Sequence, residues 1–114
     1  MREKAMREVL LAQLGALRAD AGVEQVACKD ECVGDYLTGK ADALAVAMQR
    51  VESNALIETM SRFLRHETTR NLNLAESARL AGKDTMARLR EGAVAGYMAA
   101  SRVVTEVREA NKYE

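Results

Sequence analysis

The stretch GDYLTGKADALAVAMQRVESNALIETMSRFLRHETTRNLN, residues 34 to 73, decides the fold class. It holds no proline, and neither does the rest of the chain. Leu37, Ala41, Leu44, Met48, Val51 and Ala55 step 4-3-4-3-4, which is a heptad seam on one face of a helix. At Glu58 the seam fails. It resumes in shifted register as Leu56, Ile57, Met60, Phe63 and Leu64, a stutter or a change of packing partner. Asn71-Leu72-Asn73 then offers turn chemistry, and Asn73 with Glu76 matches a capping box in its Asn variant. Beyond it Ala75, Ala78, Gly82, Thr85, Leu89, Ala93, Gly96, Ala100, Val103 and Val107 keep helical spacing. The spacing predicts two long antiparallel helices over 35–112 that turn near 71–73, with Asp35 as the first cap.

Upstream, Met6, Val9, Leu10, Leu14 and Leu17 mark one face of a helix, ended by Ala21-Gly22. A short polar segment, 23–33, follows with a narrow valine stripe and closes at Gly34. Residues 2–33 are thus read as one or two shorter helices. The whole, residues 1–114, is read as a single all-α domain.

Composition agrees with an all-α class. Twenty alanines accompany Leu, Arg, Glu and Met, all strong helix formers. Trp is absent, and the large aromatics are Phe63, Tyr36, Tyr97 and Tyr113. Gly92, Gly96 and Ala100 place small residues at four-residue steps. Each interior glycine costs about 1 kcal/mol of helix propensity relative to alanine, so close backbone packing is expected to offset it.

Length then bears on partners. An unbroken helix from Asp35 to Arg70 would span about 54 Å, against a radius of gyration of about 13 Å for a compact chain of this size. The expectation is a rod packed as an oligomeric helical bundle. Its seam would be Leu37, Leu44, Met48, Val51, Gly92, Gly96 and Ala100.

Formal net charge is zero, but unevenly distributed. Residues 20–58 carry eight acids and three bases, and residues 62–90 carry seven bases and three acids. The basic block marks a partner-binding end: Arg62, Phe63, Arg65, Arg70, Arg79, Lys83, Arg88 and Arg90. Phe63 and Tyr97 are the expected contact anchors, because aromatics dominate hot spots, although either suits a core as well.

Several motifs suggest chemistry. Residues 34–41, GDYLTGKA, resemble the P-loop pattern, with Ala41 where the magnesium-binding hydroxyl belongs and without a preceding buried strand. Residues 77–89 resemble the Ala-x-x-x-Gly turn of helix-turn-helix DNA-binding proteins. That resemblance would put Thr85, Arg88 and Arg90 on a recognition helix, with Lys83 in place of the usual apolar residue. Cys28 and Cys32 are two thiols short of a zinc tetrad, and two cysteines do not make a disulfide framework. His66 has no constellation of nucleophile, base and orienting group around it.

The expectation is therefore a non-enzymatic, self-associating helical protein that binds another macromolecule, as an adaptor, assembly component or inhibitor. The alternative is a dimeric nucleic-acid-binding regulator using 62–90. No cofactor, metal or membrane is expected. A charged N-terminal stretch and the shortness of the least polar segment, Gly92 to Ser101, lead to a cytoplasmic expectation.

Overall fold

In the computed structural model, which describes residues 2–53 and 56–112, the chain is all-helical. Four helices follow one another: α1 (Arg2–Ala27), α2 (Glu31–Glu52), α3 (Ile57–Leu80) and α4 (Asp84–Ala110). Ala55, the last heptad position, and Tyr113 lie outside the described residues.

The turns fall elsewhere than the asparagines suggest. Helix α3 runs unbroken through 71–73, and Asn73 is exposed within it instead of capping a new helix. The reason is that Asn71 is buried, its Nδ2 donating 2.8 Å to the Glu67 carbonyl one turn back. The chain reverses at 81–83. There Gly82 sits at φ 74°, Gly82 N donates to the Arg79 carbonyl and Lys83 N to the Ala78 carbonyl. These two bonds form a Schellman motif, which needs a left-handed residue that glycine supplies most cheaply.

The expected 36-residue first limb is also two helices. Its heptad stutter marks the connection between α2 and α3. Ser53 closes α2 through bonds from its N–H to the Gln49 carbonyl and from its hydroxyl to the Arg50 carbonyl. Helix α3 has no side-chain cap of its own at Leu56. Glu3 supplies one from α1, its Oε1 accepting from Ile57 N at 3.1 Å. Helix α1 passes through Gly22 to Ala27, so the separate segment 23–33 does not exist. Asp30, not Asp35, caps α2, accepting from Cys32 N at 2.8 Å and Val33 N at 3.3 Å.

Directions follow from the contacts. Gly15 lies beside Met48, and Gln25 donates to Thr38, so α1 and α2 are antiparallel. Ser61 meets Arg108, Asn71 meets Arg90 and Arg79 meets Glu91, so α3 and α4 are antiparallel. Gly39 lies against Leu89 and Gly96 against Ala43, so α2 and α4 run parallel. In an up-down-up-down bundle these two would be a diagonal pair held apart. Here they share the largest interface, with α1 packed on α2 and α3 on α4, while α1 and α3 scarcely touch.

Glycine makes that central contact possible. A Cβ on Gly39 would stand 1.9 Å from the Leu89 carbonyl oxygen, and one on Gly92 would stand 1.8 Å from that of Tyr36. On Gly96 it would meet the Lys40 carbonyl oxygen at 2.6 Å and the Ala43 Cβ at 2.8 Å. The expected tight packing of Gly92, Gly96 and Ala100 is present, and α4 runs unbroken through its glycines. Gly39 is thus one of the most closely packed residues of α2.

A core of Leu10, Leu14, Leu44, Met60, Leu64 and Val104, each 0% exposed, joins all four helices. The molecule measures 49 × 29 × 22 Å with a radius of gyration of 14.8 Å. Because α2 ends at Glu52 and α3 begins at Ile57, the overlong rod and the uncovered stripe inferred from it do not arise. Leu37, Leu44, Val51, Gly92, Gly96 and Ala100 are buried within one chain, and Met48 packs against the same core. Within the single chain Gly92 and Gly96 pack on α2 and Met48 lies beside Gly15 of α1.

Two sets of variants separate these roles. Gly92→Ala should destabilise the fold severely, by several kcal/mol, because the obstacle is backbone that can yield only if the helices part. Gly22→Ala and Gly34→Ala, with nothing within 4 Å of the new Cβ, should stabilise by about 0.5–1 kcal/mol in urea denaturation. Glu3→Ala should cost about 1 kcal/mol through the lost cap of α3, and Glu3→Gln should recover part of it.

Candidate functional site

The basic block expected to meet a partner is partly neutralised by the fold. Arg88 donates from Nε and NH2 to Asp35 Oδ2, at 3.2 and 3.0 Å, joining α4 to the acidic half of the sequence on α2. Arg79 pairs with Glu91 and Arg70 with Glu67 at 3.3 Å. Arg90 turns inward and donates to Asn71 Oδ1 at 3.2 Å. Arg62, Arg65 and Lys83 remain exposed. Phe63 is partly buried against the core, with the Arg50 guanidinium 4.5 Å from its ring centroid. Tyr97 is 5% exposed. Both aromatics therefore serve this chain's own packing.

The motif resemblances resolve in the same way. Residues 34–41 are helical, so their N–H groups are engaged along α2 and form no phosphate cradle. The 77–89 segment does contain a turn at Gly82, but α3 and α4 lie antiparallel along their lengths instead of crossing steeply. Arg88 and Arg90, the supposed base readers, are held by Asp35 and Asn71. Cys28 and Cys32 are free thiols either side of the Asp30 cap, and Cys28 Sγ donates to the Asp30 carbonyl at 3.2 Å. Among the described residues no three ligating side chains gather to hold a metal. His66 is exposed on α3.

One polar cluster matches no sequence motif. Because α2 and α3 both pack on α4 and barely on each other, a groove of about 300 Å³ opens between them. Its α2 wall is Gly39, Asp42, Ala43 and Val46. Its floor is Met86, Leu89, Ala93 and Tyr97 of α4. Its α3 wall is Glu67, Arg70 and Asn71, with Arg90 reaching across from α4. Both walls follow i, i+3, i+4 spacing, so each is one helix face. A signal existed in the sequence. Met60, Leu64, Asn71, Ala75 and Ala78 share a stripe, and Asn71 is its one polar member with both amide groups bonded.

Burial pushes the Tyr97 phenol above its ordinary value of 10.0, and the Glu67 carboxylate adds to the rise. Arg70 and Arg90 oppose it. The neutral phenol is therefore the form the fold favours.

A second apolar line appears on α1. Leu10, Leu14 and Ala21 are its buried residues. On the opposite side Val9, Ala12, Ala16, Ala19, Val23 and Val26 step 3-4-3-4-3, and all are exposed, Val23 at 69% and Val26 at 89%. Val9, grouped with the core face from sequence, belongs to this outer line. No helix among the described residues is long and apolar enough to cross a membrane.

Comparison with protein-family models, curated proteins and solved structures finds no match for this chain.

The phenol provides a pH test. Since the folded protein holds Tyr97 above 10.0, its contribution is fully present below pH 10 and is lost as pH rises through the folded value. Absorbance titration of tyrosinate should show one phenol ionising later than the others, and Tyr97→Phe should remove that late step.

Proposed function

We propose that this chain is a non-enzymatic helical docking protein that pairs with a second copy of itself and presents a further face to another macromolecule. The observation that carries the proposal is the outer line of α1. Its positions from Ala5 to Val26 hold no charge, repeat at heptad spacing and lie opposite the core face. Such a line on a 26-residue helix is the pattern by which two helices pack along a seam. Alanines at its centre permit a close approach, and valines at its ends supply the larger contacts. The seam inferred from the long limbs is thus replaced by one on α1.

The outward face of α3 is the second surface. It exposes Arg62 and Arg65, with Thr69, Asn73 and Ser77 beside them. A protein partner carrying acidic groups fits this face. Nucleic acid has less support, because Arg70, Arg79 and Arg88 are paired with carboxylates and Arg90 is turned inward.

Light scattering after gel filtration tests self-association. The expected mass is twice 12.5 kDa, and Ala16→Glu with Val23→Glu should return it to 12.5 kDa with helix content unchanged. A wild-type protein that stays monomeric at about 100 μM, far above the dissociation constant of an ordinary specific interface, would sink the pairing. Steeply salt-dependent binding to duplex DNA, reduced by changing Arg62 and Arg65 to Ala, would instead favour the nucleic-acid reading.

A further inference from the structure

The groove between α2 and α3 contains hydrogen-bond donors without acceptors. The Tyr97 side chain is more than nine-tenths buried and lines the groove, and its hydroxyl bonds to no described residue. That hydroxyl is not sealed inside the protein either, since it is absent from the fully enclosed polar atoms left without partners. Tyr97 helps to form the floor of the groove, and that is where we place the hydroxyl. Arg90 is partly buried, and its one partner among the described residues is the neutral amide of Asn71. A guanidinium has five N–H donors, so most of its capacity is unused. Among the described residues it forms no ion pair.

The acids nearby do not supply what is missing. Glu67 lines the groove and its charge reaches the Tyr97 phenol, but it pairs with Arg70 at 3.3 Å, and Asp42 is exposed on the α2 wall. Facing these donors is an apolar wall of Ala43 and Val46 with Leu89 and Ala93 beneath. Two donors, one of them cationic, at one side of an apolar slot define an acceptor-bearing anion with an apolar body. The volume of about 300 Å³ is at the lower end of the range for ligand pockets, which limits the body to a single ring or a short chain.

We propose that this groove binds a small organic carboxylate, its oxygens accepting from Arg90 and the Tyr97 hydroxyl and its apolar part lying against Ala43 and Val46. This goes beyond the docking role, because the groove lies away from the outer line of α1 and needs no second copy.

Benzoate is the probe, with benzamide and benzylamine as neutral and cationic counterparts of the same shape. Amide and side-chain NMR shifts on the full chain, recorded during titration, report binding. Benzoate is expected to bind with a dissociation constant on the order of 1 mM, ordinary for a fragment of its size. It should shift signals of Val46, Ala93 and Tyr97. Benzamide should bind at least about tenfold more weakly and benzylamine not measurably, since a charge-assisted bond is worth about that factor. Tyr97→Phe and Arg90→Gln should each weaken benzoate by about tenfold or more. Should Arg90→Gln unfold, Val46→Trp tests the same groove from its exposed rim, and it should abolish binding by filling the slot. Equal binding of all three probes would overturn the proposal. So would shifts elsewhere that survive Val46→Trp, or an absence of shifts at tenfold the expected constant. None of these results depends on whether the protein self-associates.

Discussion

The approach of α2 to α4 without intervening side chains is the constraint on which the rest of the structure depends. Gly39 faces the backbone of Leu89, Gly92 that of Tyr36, and Gly96 that of Lys40. Backbone this close brings Cα–H groups against carbonyl oxygens, weak contacts that recur where helices touch. More important is what the closeness excludes. Two parallel helices that would be diagonal in an open bundle become its centre, and α1 and α3 are left on opposite flanks. The cost of three interior glycines in helix propensity is thereby matched by packing that no side-chain-bearing residue could achieve.

Both candidate surfaces descend from this arrangement. A flanking helix has one buried face and one open face. For α1 the open face is the charge-free line from Val9 to Val26, and for α3 it is the strip bearing Arg62 and Arg65. Because α3 leans on α4 and not on α2, a groove remains between α2 and α3. Asn71 sits at its edge, donating to its own helix and accepting from Arg90. A buried amide in a hydrophobic stripe carries a desolvation cost that these bonds offset, and they orient the guanidinium at the same time.

The opposite charges of the two halves of the sequence acquire a different meaning in three dimensions. As a linear pattern, an acidic stretch followed by a basic one resembles an electrostatic handle for a partner. Folding places α2, with four acids and two bases, beside α4 in parallel, and Asp35 receives Arg88 of the basic block near their shared N-terminal ends. Complementary blocks within one chain thus serve its own assembly first. Surface pairs of this kind contribute little stability each, but they favour one register of parallel helices over others. Of the basic block, Arg62, Arg65 and Lys83 remain exposed.

Helical class, the close packing of Gly92, Gly96 and Ala100, and the heptad face from Leu37 to Val51 were legible in the sequence alone. They depend on 3.6-residue periodicity and on side-chain size, both local properties of the chain. The stutter after Val51 was legible as well, though its meaning as a turn was not. Tertiary structure decided where the chain reverses and which chain the seam contacts. Asn71-Leu72-Asn73 has turn chemistry, yet burial of Asn71 beside Arg90 outweighs it, and a Schellman turn at Gly82 reverses the chain instead. The cap of α3 comes from Glu3, fifty-four residues away, which no local pattern could reveal. The groove and its unpaired donors exist only because α4 lies between α2 and α3, an arrangement that rests on glycines of two different helices meeting at the backbone of the other.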